Sequence, residues 1–145
     1  MKKILTLLFF PLFLLSLSAC GTEIDNRIYE AADALDNTDY EDAQNICDRT
    51  INRYWDEMTL ENKCDLAVIY AVLYSEMDGD ENDKHNIGML KKCYSSAMDE
   101  DSKATREYLN SLEDGAHDAI ELVIEMTDWA NELEDLGDDL EDLGY

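Results

Sequence analysis

Apolar residues at Ile24, Ile28, Ala31, Ala32 and Leu35 follow the spacing of one helical face. Asp36-Asn37 ends that helix. Thr38-Asp39-Tyr40-Glu41 then has the form of a capping box, in which a Thr hydroxyl and a Glu carboxylate satisfy each other's backbone N–H groups. It predicts a second helix to about Trp55, with Tyr40, Ala43, Cys47, Thr50, Ile51 and Tyr54 along its inner stripe. Asp56 to Thr59 reads as a turn. A third helix over about 60–77 contains the unbroken apolar run Leu66 to Tyr74, and a helix apolar all round is buried all round. The same run could form a buried strand, but Ala67, Ala71 and the helix-prone flanks favour the helix.

After the polar stretch Asp78 to Asp83, a fourth helix carries Ile87, Leu90, Cys93, Tyr94, Ala97 and Met98, and Asp99 to Ser102 reads as a break. From Lys103 the apolar positions are Tyr108, Leu109, Leu112, Ala116, Ala119, Ile120, Val123, Ala130 and Leu133: one long helix, or two meeting at Gly115. The end repeats itself in seven-residue steps, 132–138 and 139–145. Its leucines keep a heptad register over only two heptads, short of a coiled-coil signature. Residues 131–145 are an acidic tail, either frayed by like-charge repulsion or folding onto a partner. The prediction is an all-α chain of about five antiparallel helices over 24–130, followed by that tail.

The start of the chain has a different character. Met1-Lys2-Lys3 precedes an almost wholly apolar stretch from Ile4 to Ala19, the layout of an export signal over residues 1–19. At about 16 residues, with Pro11 in its middle, this stretch is short of the roughly 20 needed to span a bilayer. Removing it loses Lys2 and Lys3 but no acid, so the formal charge goes from −24 to −26 on a single small domain. Residues 107–145 hold 14 acids and no Lys or Arg. Such charge repels nucleic acid and anionic membrane and suits a basic protein partner. Leu, Ile, Val and Phe are sparse in the remainder, a feature of disordered chains, but eight tyrosines, two tryptophans and the helical periodicity supply a core.

Candidate chemistry is thin. Asp78, Asp80 and Asn82 fit the first, third and fifth positions of a calcium-binding loop. Asp83 stands where its Gly belongs, however, and Met89 stands where its closing Glu belongs. His85, a loop or first-turn residue, and His117, on a helix surface, lack zinc-site spacing, so no metal ligand is assigned. No nucleophile elbow or phosphate-binding Gly loop occurs, and no catalytic residue or cofactor is assigned. Cys47, Cys64 and Cys93 allow one disulfide plus one thiol after export. Cys47 with Cys64, on neighbouring helices, is the first pairing; the alternative is three small buried apolar residues.

Two resemblances follow from these residues. Leu17-Ser18-Ala19-Cys20 resembles the lipobox of bacterial lipoproteins. The resemblance implies cleavage between Ala19 and Cys20, lipid on the Cys20 thiol, and a tether over 20–23 holding the domain to a membrane of the cell envelope. Gly21, not Asp, after the cysteine points to the outer membrane if the cell is Gram-negative. Asp39-Tyr40-Glu41-Asp42-Ala43 is similar to the start of the second helix of a tetratricopeptide-type repeat. It implies two helical hairpins with the last helix as a cap. The Gly before the aromatic and the terminating Pro of that family are missing, and the units are longer than its 34 residues. The expected function is a lipid-anchored, non-enzymatic adaptor or assembly module meeting a protein partner. The alternative is an acidic inhibitor or immunity lipoprotein that covers a basic enzyme.

Overall fold

Thr22, Asp39 and Thr59 decide where the first three helices begin. The computed structural model describes residues 22–142, with side chains described up to Ala130 and at Glu132. The apolar leader, Ala19 and Cys20 lie outside the described residues. Helix α1 (Glu23–Asp36) opens on a capping box: Thr22 N–H donates to Asp25 Oδ2 at 2.7 Å while Asp25 N–H donates to Thr22 Oγ1. Helix α3 (Leu60–Glu76) opens on the same device, built by Thr59 and Asn62. Asn62 Nδ2 also donates to Asp25 Oδ1 at 2.7 Å, which ties the two helix starts together.

Helix α2 (Tyr40–Tyr54) corrects the capping box expected at Thr38. Its cap is Asp39, which accepts from Asp42 N–H. Thr38 has φ +59° and closes α1 instead: its N–H donates to Leu35 O and that of Asp39 to Ala34 O, each at 2.9 Å. This is a Schellman closure, in which the left-handed position is usually Gly. A β-branched residue there is strained, at a cost of about 1–3 kcal/mol. Thr38→Gly is therefore expected to stabilise the protein by about 1 kcal/mol, read as a higher urea midpoint; an unchanged or lower midpoint would contradict the strain.

After a 3₁₀ turn at Trp55–Glu57, α3 forms the centre. Every residue from Leu66 to Leu73 is buried, and α3 touches each of the other four helices. Small residues make the close approach possible: Ala31 on α1, Ala43 on α2, Ala67 and Ala71 on α3 and Ala97 on α4 have no exposed surface.

Helix α4 (Asp80–Leu112) begins earlier than the polar stretch at 78–83 suggested, because Gly79 turns the chain with φ +118°. Asp80, Glu81 and Asp83 then lie in its first turn, where acids suit the helix dipole. The calcium-loop pattern is thus helix from its third position on, and His85 sits in the helix beyond its first turn, where a loop or first-turn position was expected. The break expected at 99–102 is a kink at Asp101 (φ −158°, ψ 99°). The Asp101 carboxylate caps the second limb, accepting from the N–H groups of Lys103 and Ala104 at 3.0 Å each. Buried Thr105 clamps the kink by donating to Ala97 O or Asp101 O, at 2.9 and 2.8 Å.

Gly115, with φ +83°, separates α4 from α5 (Ala116–Asp142), as its place in the sequence suggested. The fold is all-α: the described residues form five helices and no strand. In chain order the helices pair as α1 with α2 and α3 with α4. The second limb of α4 is joined to α5 by a three-residue turn, and side chains of α5 tie back to Lys91 and Tyr94 on the first limb. No described helix is long and apolar enough to cross a membrane. The backbone of the acidic tail is helical to Asp142.

Candidate interaction surface

Several polar groups inside the helix stack are paired across it. Tyr70 Oη on α3 donates to Asp48 Oδ1 on α2 at 2.6 Å, and His85 Nε2 on α4 lies 2.9 Å from the same oxygen. Gln44 on α2 donates to buried Asn86 on α4 at 2.7 Å. Asp65, 4% exposed in the middle of α3, accepts from Tyr108 Oη at 2.9 Å. Burial pushes its carboxyl up to about 7, against the partial relief of the Tyr108 hydrogen bond, with Glu61 and Asp25 adding to the rise. These pairs bridge helices and read as structural ties.

His117, expected on a helix surface, is 3% exposed. Tyr94 Oη on α4 lies 2.9 Å from both His117 Nε2 and Glu121 Oε1, and His117 Nδ1 is 3.1 Å from Asp118 Oδ1. His117, Asp118 and Glu121 bring one ligand atom each within 4.8 Å of one another, a grouping that could hold a metal ion. Both ring nitrogens are already engaged, however, and an ion would have to displace one of these hydrogen bonds. The network needs no ion to be satisfied, and it fastens α5 to α4. Lys91 adds an ion pair with Asp128 further along the same contact.

Cys47, Cys64 and Cys93 are free thiols, all buried, and no Cys47–Cys64 bridge is formed here. Burial raises the Cys47 thiol well above its ordinary value and lifts Cys64 and Cys93 to about 12. Nucleophilic or metal-binding chemistry needs the thiolate, which these sites disfavour. An open groove of about 350 Å³ between α1 and α2 is lined by Glu30, Asp33, Asp39 and Asp42 with Ala34 and Ile46. Its carboxylates are solvated and no nucleophile or base–acid pair converges on it.

The feature without a structural role lies on the outside of α5. Leu122 is 52% exposed, Met126 40% and Trp129 65%; Tyr29 on α1 is the only other large apolar residue so exposed among the described residues. The three recur at i, i+4 and i+7 and form one ridge. The inner face of α5 is a separate stripe: Ala116, Ile120 and Val123 are buried in the common core, with Ala119 and Ile124 packed against it. Ala130, counted with the inner positions in the sequence, is exposed. Acids border the ridge, and after Arg106 no Lys or Arg balances them on the helix itself. The signal that would have found this ridge is the alternating spacing of four and three through Leu122, Met126 and Trp129, which runs beside the inner stripe.

No known family model, curated protein or solved structure matches this chain.

Proposed function

We propose that the protein is a lipid-anchored envelope protein acting as a non-enzymatic interaction module, an adaptor or assembly factor held at a membrane by Cys20. The observation that carries this reading is the exposed Leu122–Met126–Trp129 ridge on an otherwise well-buried helical stack. Exposed apolar clusters on small soluble domains mark contact sites. The leader ending at Leu17-Ser18-Ala19-Cys20 supports the anchor, since two or more acyl chains hold a protein at a bilayer. The second reading, an acidic inhibitor or immunity lipoprotein, is favoured by the 14 acids gathered after Arg106.

The test combines two measurements in the native cell. Wild-type protein is expected in the membrane fraction, carrying radiolabelled fatty acid. Cys20→Ser should lose both the label and the membrane retention; a Cys20→Ser protein still labelled and retained would refute the anchor. Cross-linking from the native membrane should trap a defined protein partner, and failure to trap any partner would refute the interaction module. A trapped basic hydrolase whose activity falls on adding the purified protein would favour the inhibitor reading over the adaptor.

A further inference from the structure

We propose that the outer face of α5 is a coiled-coil seam that receives a basic amphipathic helix of the partner protein. The proposal rests on the interaction reading above and names its site and the chemistry of its occupant. Three observations carry it.

The first is register. Leu122, Met126 and Trp129 are spaced four and three apart and all face solvent. The sequence continues the alternation through Leu133, Leu136 and Leu140, on backbone that is helical to Asp142. A four–three alternation of apolar residues is the a/d pattern of a helix that packs knobs-into-holes against another helix. Two heptads in the tail alone were too few; the exposed ridge extends the same register upstream to nearly three.

The second is charge. With Met126 at an a position, the g positions are Asp118, Glu125 and Glu132, all exposed, while the e positions are Val123, Ala130 and Gly137. One edge of the seam is a row of acids seven residues apart, and the other is uncharged. In coiled coils the residues at e and g choose the partner and its orientation. A helix with Lys or Arg along the matching edge pairs with this row, and the charge pattern fixes which way round it lies.

The third is what the charge excludes. A second copy would bring another −14 and no cation from residues 107–145. In an antiparallel pair the two acid rows would face each other; in a parallel pair each row would face Ala130 and Gly137 with nothing to pair. A membrane surface fits no better, because interfacial helices carry Lys and Arg on their polar face, whereas acids border this ridge.

The experiment titrates the full-length protein, in neutral detergent micelles, into a fluorescein-labelled heptad peptide of about 28 residues with Leu at a and d and Lys at e and g. A twin peptide with Glu at e and g is the control. Binding of the basic peptide is expected, with no binding of the acidic twin. The double variant Leu122→Ser/Trp129→Ser should bind the basic peptide at least tenfold more weakly, with unchanged helix content by circular dichroism, since both side chains are exposed. Equal affinity for wild type and variant would reduce the effect to diffuse charge and overturn the proposal. So would absence of binding, a self-association abolished by the double variant, or variant-sensitive binding to phosphatidylglycerol vesicles. A photo-cross-linker at position 126, compared with one at exposed position 57, separates this failure from failure of the interaction reading. A native partner trapped from 126 supports the seam. A partner trapped only from 57 sinks the seam and keeps the interaction module, and no partner from either sinks both.

Discussion

Replacing Tyr70 by alanine is expected to remove a large part of the protein's stability. The ring has no exposed surface and sits on α3, the helix that every other helix touches. Truncating a buried aromatic to alanine costs about 3–5 kcal/mol through lost transfer energy and the cavity left behind. Domains of this size have a total of roughly 5–15 kcal/mol. Tyr70→Phe isolates the ring from its hydroxyl. It keeps the volume and loses only the 2.6 Å hydrogen bond to Asp48, whose carboxylate still has His85 beside it. That change is expected to cost about 1 kcal/mol. Urea titrations followed by far-ultraviolet circular dichroism compare the three proteins. A large loss of midpoint for alanine and a small one for phenylalanine is the expected result. Equal losses would mean that the Asp48 contact, and not core volume, holds α2 to α3.

The reasons α3 was legible in the sequence also make Tyr70 so sensitive. Nine consecutive apolar residues leave no polar face, so the run can only be central, whatever packs around it. Gly115 was legible because a glycine between two amphipathic stretches permits the left-handed turn that joins them. Other features depended on residues far away in the chain. Thr38 resembled a cap, but Leu35 and Ala34 take the backbone N–H groups that follow α1, which forces the left-handed geometry on Thr38 and passes the cap to Asp39. His117 reads as surface because a lone imidazole is polar; its burial depends on Tyr94, 23 residues earlier, supplying a hydrogen bond on a neighbouring helix. The three cysteines fitted either a bridge or a packed core, and sequence spacing does not say how far apart helices place their thiols. The α5 ridge was missed for a different reason. The helix carries two apolar stripes, and the inner one accounts for the periodicity alone. Only the burial of Ile120 and Val123 in the common core shows that Leu122, Met126 and Trp129 are left outside.

Asp65→Asn is expected to make the protein more stable at pH 8 and to leave it nearly unchanged at pH 4. Burial raises the folded-state carboxyl to about 7 from an ordinary 3.8. The folded protein therefore holds this proton more tightly than the unfolded chain does. The associated stability is fully present below about pH 4 and is lost as pH rises through 7. At 1.36 kcal/mol per pH unit, the loss over that interval is about 4 kcal/mol. Asparagine resembles the protonated acid: its carbonyl can accept from Tyr108 Oη, and it has no charge to desolvate. Glu61 and Asp25, which also disfavour ionisation at this position, lose their effect in the variant. The other acids titrate in both proteins, so the difference between the two isolates Asp65. Urea midpoints measured at pH 4, 5, 6, 7 and 8 should show the variant pulling ahead from pH 4 upward and the gap levelling off above 7. A difference independent of pH would show that Asp65 ionises alike in both states. A variant that grows less stable as pH rises would show that the carboxylate is stabilised where it lies, and that the Tyr108 hydrogen bond outweighs its burial.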